Sequence, residues 1–146
     1  MIIVVDTNIL FSACLTPSGR IFEILFNVPS YVRLISSHLA IEELKWHKQK
    51  LLKLSKHSEE DLDLLIELVL KQIEFFDENI VENKYWQEAD NLTSAVDGDD
   101  ISFVALALQT GGILWTGDKK LSNYLKVMNF DTVINTSELF ELFNKS

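Results

Sequence analysis

The chain has little of what would take it out of the ordinary globular class. Of its 146 residues, one is cysteine, two are proline and five are glycine. The lone thiol, Cys14, makes no internal disulfide and has no paired spacing for zinc, which fits a reducing compartment; it reads as a small buried hydrophobe. So little proline and glycine leaves no linker or low-complexity tract, and residues 1–146 read as one domain with one core. Positive charge is scarce: 13 basic residues against 22 acidic ones give a net charge of -9, which excludes indiscriminate attraction to polyanions. The longest apolar run, Phe103 to Leu108, is far too short for a bilayer. The first residues lack the basic region and cleavage site of a signal peptide, so the expectation is a cytoplasmic protein with no membrane contact. A Gly-x-Ser-x-Gly elbow, a phosphate loop and a His-Glu-x-x-His pair are also missing, leaving His38, His47 and His57 as surface or capping residues.

What is present begins with Met-Ile-Ile-Val-Val-Asp, an apolar run that reads as a buried strand over Ile2 to Val5 ending on Asp6. Further strands are expected at Val32 to Ser36, around Phe75 and Phe76, at Ile113 to Thr116 and near Thr132 to Ile134. Between them, helical spacing predicts a segment over Thr7 to Cys14 and a short helix from Arg20. A helix capped by Ser37 carries Leu39, Leu44 and Leu51 inward, and another starts at Ser58 with Glu59, Glu60 and Asp61 favourably placed in its first turn. Residues 45–73 therefore read as a pair of antiparallel helices. Tyr85 to Val96 is again helical, and Trp86 reads as packed in the core. Ile101 to Leu108 is apolar nearly all round and so central, Gly111-Gly112 ends it, and helices over Lys119 to Lys126 and Ser137 to Asn144 complete the chain. Alternation of strand and helix argues for a largely parallel sheet with helices on both faces, an α/β/α sandwich.

The acids fall at telling places in this scheme. Asp6 and Asp118 follow two apolar strands, the cluster Asp97-Gly98-Asp99-Asp100 precedes the central helix, and Glu43 lies on the helix after a third strand. Each has a structural alternative: Asp6, Asp99 and Asp118 can all cap the helices that follow them. Taken together they gather carboxylates at the edge where open α/β sheets place their ligands. Such a cluster is costly unless a cation neutralises it, and an oxygen-only donor set suits Mg²⁺ or Mn²⁺ rather than zinc. A basic island, Lys45 to Lys56 with no acid between Glu43 and Glu59, offers a local phosphate-contacting surface or else a solvated helix face. An aspartyl-nucleophile phosphatase would want a second acid two residues after Asp6, where the chain has Asn8.

These residues resemble the PIN domain nucleases. Asp6-Thr7-Asn8 is similar to the family's opening motif, Glu43 in Glu-Glu-Leu to its second acid, Asp100 before Ile-Ser-Phe-Val-Ala-Leu-Ala-Leu to its third and Thr116-Gly-Asp118 to its fourth. The resemblance covers nearly the whole chain in the correct order and is nearest to VapC-like toxins of type II toxin-antitoxin systems. It implies a PIN-like parallel sheet between helices, here with the helical pair at 45–73 inserted. It further implies a Mg²⁺- or Mn²⁺-dependent endoribonuclease with Asp6, Glu43, Asp100 and Asp118 as catalytic metal ligands. Asn8 and Thr116 would support them, and Lys45 and Lys48 would contact RNA. A cognate antitoxin and a homodimer are implied by the resemblance alone. The competing reading is a PIN-like module that binds RNA or protein without catalysis; acids at all four family positions weigh against it.

Overall fold

The computed structural model describes residues 1–95 and 101–145. Five parallel strands form one sheet: β1 (Ile2–Val5), β2 (Arg33–Ser37), β3 (Glu74–Phe76), β4 (Ile113–Trp115) and β5 (Val133–Ile134), in the order β3-β2-β1-β4-β5. Ile3, Val4, Val5 and Leu114 are fully buried because both faces of the sheet are covered, which is why these strands read as unbroken apolar runs. After β1 come α1 (Thr7–Leu15) and α2 (Arg20–Phe26); α3 (His38–Trp46), α4 (Lys48–Leu54) and α5 (Glu59–Leu70) join β2 to β3. The return to β4 uses α6 (Asn83–Thr93) and α7 (Ile101–Thr110), followed by α8 (Lys119–Val127) and α9 (Thr136–Asn144). Helix packing falls into two groups, α1 against α2 to α5 and α6 against α7 and α8, with α7 lying on β1, β2 and β4. Right-handed crossovers require this division, because the chain runs from β1 outward to β3, then crosses back to β4. The α/β/α sandwich expected from the alternation is therefore the fold.

Local chemistry sets the helix ends. Ser37 accepts from Leu39 N–H, Ser58 from Asp61 N–H, and Asn135 forms a reciprocal capping box with Glu138. Gly111, at φ 69°, ends α7 in the left-handed region that glycine enters without strain. Gly112 has a different constraint: a Cβ there would stand 3.0 Å from Ile2 Cγ2 and 3.2 Å from the Ile2 carbonyl oxygen, so β4 enters the sheet pressed against the start of β1. The central helix is as expected, buried from Ser102 through Ala107, and Cys14 is a buried thiol pushed up to about 12 by desolvation.

The insert at 45–73 contains the expected helical pair, as α4 and α5. The helix from Ser37 does not run unbroken through Leu51 but divides at His47, whose ψ of 8° closes α3 just before α4 starts. Both α4 and α5 pack on α1, and Lys48 at the start of α4 reaches Glu59 and Asp63 in the first turns of α5. Hydrophobic spacing reports which residues go inward, here Leu44, Leu51 and Leu62, and is blind to a bend that keeps them there. Trp46, at the end of α3, is 69% exposed, whereas Trp86 packs against the core. Leu62 has no exposed surface; Leu62→Ala is expected to cost about 2–5 kcal/mol, read as a lower urea midpoint at unchanged slope.

Candidate metal centre

Strand register builds the site. Val5 pairs with Trp115, so Asp6 and Thr116 leave β1 and β4 side by side. The Asp6 amide still donates to the Trp115 carbonyl at 3.1 Å. The chain leaves β1 for β2 on one side and later returns to β4 on the other, so these two strand ends flank the topological switch point, where an open parallel sheet leaves a crevice.

Asp6 is 3% exposed. It stands at the N-cap position of α1 yet makes no side-chain cap hydrogen bond. Instead Asp6 Oδ2 accepts from the Thr116 hydroxyl at 2.7 Å and from Asn8 Nδ2 at 3.2 Å. Asn8 Nδ2 also lies 3.3 Å from Thr116 Oγ1, and Asn8 Oδ1 accepts from the Gly117 amide at 3.1 Å. The Asp118 amide donates to Thr116 Oγ1 at 3.1 Å, while Asp118 Oδ1 caps α8 through Leu121 N–H at 3.1 Å. One hydroxyl thus ties the two aspartates together, and a side-chain amide closes the loop. The capping alternative for Asp118 is real, but it occupies only one of its oxygens.

Desolvation pushes the Asp6 carboxyl above the ordinary aspartate value. The hydrogen bond from Thr116 and the nearby backbone amides of Asn8 and Thr7 oppose this shift, and the negative charge of Asp118 adds to it. Among the described residues no lysine, arginine or histidine pairs with either carboxylate. A buried carboxylate, a second acid beside it and no cation from the chain form a donor set of hard oxygens that fits a divalent ion.

The other expected positions are distributed as follows. Glu43 is half-buried in the second turn of α3, the helix that leaves the same sheet edge after β2. Asp97, Asp99 and Asp100 lie outside the described residues, and among the described residues no three acids, histidines or cysteines come together as a metal-holding group. Asn8 and Thr116 hold Asp6 as expected. Lys45 is exposed on α3, whereas Lys48 has its ammonium 2.7 Å from Asp63 Oδ1 and 3.2 Å from Glu59 Oε1. That pairing spans a bend and a loop, so helix periodicity carried no sign of it.

An α/β/α domain with Asp6 and Asp118 near the switch point of its parallel sheet belongs to the class of folds that place their ligands at that edge. This chain belongs to the PIN domain family, which it matches over residues 4–136. PIN domains are generally nucleases and generally depend on divalent metal. Among solved structures it is similar to a chain of VapBC2 from Rickettsia felis bound to a DNA fragment from their promoter, with a TM-score of 0.68 and 18% identity over 92% of this chain and 97% of that one. It is also similar to PAE2754 from Pyrobaculum aerophilum, with a TM-score of 0.69 and 17% identity over 99% of this chain and 96% of that one. A chain of VapBC-1 from nontypeable Haemophilus influenzae aligns with a TM-score of 0.68 and 18% identity, covering 94% of this chain and 99% of that one. At these identities the likeness is one of fold. No curated protein matches.

Because the folded pKa of Asp6 is raised, its ionisation opposes folding. The penalty is absent below the ordinary value of 3.8, grows as pH rises toward the raised value and is complete above it. In chelator, Asp6→Asn is therefore expected to melt higher than the wild type at neutral pH, with the gain shrinking as the pH falls toward 4.

Proposed function

We propose that this protein is a Mg²⁺- or Mn²⁺-dependent endoribonuclease acting as the toxin of a VapC-like toxin-antitoxin pair, working in the cytoplasm as a homodimer restrained by a cognate antitoxin. The observation that carries the reading is the buried Asp6 carboxylate, hydrogen-bonded to Thr116 and beside Asp118, with no cation paired to it among the described residues. Family membership supplies the nuclease class. The VapBC structures that share the fold favour the toxin assignment and the antitoxin partner.

Asp6 and Asp118, with Glu43 and Asp100, would hold the ion. When bound, the metal supplies Lewis acidity toward the phosphodiester and activates water for its hydrolysis at neutral pH. The chain's own part is preorganisation. The Thr116 hydroxyl spends its proton on the Asp6 carboxylate and accepts from the Asp118 backbone amide, while Leu121 N–H holds the Asp118 carboxylate, so both acids are placed before a ligand arrives. Asn8 keeps the Thr116–Gly117 turn against Asp6 through its bonds on both sides. Burial keeps water from competing for Asp6 and sharpens its need for positive charge. Lys45 would guide the RNA backbone from the exposed face of α3; Lys48, already tied to two acids, would contribute through what remains of its field.

Adding Mn²⁺ should raise the melting temperature of the wild type, because a ligand that binds only the folded state stabilises it. Asp6→Asn should lose both that shift and metal-dependent RNA cleavage while remaining folded; cleavage retained by a clean preparation of the variant overturns the assignment. Thr116→Val should weaken Mn²⁺ binding roughly 10–100-fold, with Thr116→Ser restoring it. Equal affinities for the two Thr116 variants would show that the hydroxyl does not orient the site.

A further inference from the structure

A cavity of about 520 Å³ opens beside the metal centre, between α8 and the start of α9. Its inner end is formed by Thr116 and Gly117, the residues that hold Asp6 and Asn8. Its near wall is one face of α8: Lys119, Ser122, Asn123 and Lys126 recur at helical spacing and all line it. The far wall is the turn from β5 into α9, with Asn135 and Ser137. That wall is anchored to the core, since the buried Trp115 indole donates to Thr136 Oγ1 at 3.1 Å. Among the described residues neither Lys119 nor Lys126 is held in an ion pair. The one acid lining the cavity, Glu138, has Oε1 committed to the Asn135 amide in the capping box. In a chain of net charge -9, a cavity with two unpaired cations and a lining of hydroxyls and side-chain amides is an anion-binding feature with hydrogen-bonding capacity on both walls.

We propose that this cavity is a nucleotide subsite, receiving the nucleoside monophosphate unit of the RNA strand next to the bond at the metal centre. Lys119 and Lys126 take the phosphates; Asn123, Ser137 and the Asn135 side-chain NH₂ bond the ribose hydroxyls and the base edge, and Ser122, whose proton goes to the Asp118 carbonyl, accepts from them. The volume lies within the range of roughly 300–1,000 Å³ usual for ligand sites. Hydroxyl and amide groups opposite the lysines are the kind of partners that read a ribose 2′-hydroxyl. Position supplies the rest, because a strand leaving the Asp6–Asp118 crevice past Gly117 enters the cavity without turning away from the protein. Helix periodicity kept Lys119 and Lys126 hidden as an ordinary solvated face, since the opposite wall comes from residues that follow another strand.

The choice of ligand rests on the ribonuclease reading, so the test is made without metal. Binding of a fluorescent short oligouridylate is measured in EDTA over a series of salt concentrations, for the wild type, for Lys119→Ala with Lys126→Ala, and for Lys145→Ala at the far end of α9. The double variant should bind at least about tenfold more weakly at low salt, with its salt slope lower by about 1.4, near 0.7 for each phosphate of a single strand that is no longer neutralised. Lys145→Ala should bind as the wild type does. In amide spectra, adenosine monophosphate and the oligomer should both displace Ser122, Asn123 and Asn135. Wild-type affinity in the double variant, or displacement confined to other amides, overturns the subsite; tighter binding of the mononucleotide than of the oligomer overturns its assignment to an RNA strand. Lysine-dependent RNA binding in a protein that never cleaves RNA would leave the subsite standing and remove the nuclease, and metal-dependent cleavage with lysine-independent binding would do the reverse.

Discussion

A carboxylate with almost no exposed surface, kept in place by a neighbouring strand's hydroxyl, is the constraint on which the rest of the molecule turns. Burying Asp6 costs free energy that its hydrogen bonds from Thr116 and Asn8 only partly offset. Apolar burial around it must supply the difference, and it does so through β1, β4 and the central helix α7, which are among the most completely buried parts of the chain. The parallel register then serves two ends at once. It pairs Val5 with Trp115 within the core, and it sets Asp6 beside Thr116 where the core stops.

Most of the fold was legible because it depends on patterns with a single physical meaning. Apolar runs that stop on polar residues became β1 and β4, and the serines at 37 and 58 became caps with their hydrogen bonds made. The nearly all-apolar helix after the acidic cluster became the central one. What escaped was direction. Ser37 through Leu51 keeps its inward residues while bending at His47, and no periodicity distinguishes a bent helix from a straight one when the same side chains stay buried. Trp46 shows the same limit, being an aromatic that the bend leaves outside.

The candidate site was legible in part for a related reason. Strand-end acids announce themselves in sequence because an apolar run makes their position along the sheet unambiguous, and Asp118 lies near enough for its charge to raise the Asp6 carboxyl. Glu43 depends on the rotation of a helix, and Asp100 falls outside the described residues. The basic island contained a lysine already claimed by Glu59 and Asp63, an arrangement created by tertiary folding. Lys119 and Lys126 line the cavity beside Thr116 and Gly117, and the wall that faces them comes from residues that follow another strand.

The absence of a side chain at Gly112 also matters at a distance. Its backbone rests against Ile2, at the end of β4 remote from the acids. The three residues of β4 separate it from Thr116, four steps along the chain or about 13 Å, and a strand so short has little slack in which to absorb an error. A methyl group introduced there would stand 3.0 Å from Ile2 Cγ2 and 3.2 Å from the Ile2 carbonyl oxygen, so either β4 or the start of β1 has to give way, and β4 is the strand that carries the Thr116 hydroxyl to Asp6. The start of β4 therefore acts as an alignment stop for the strand end that carries Thr116, and the fit between Thr116 and Asp6 depends on a contact made at the opposite edge of the sheet.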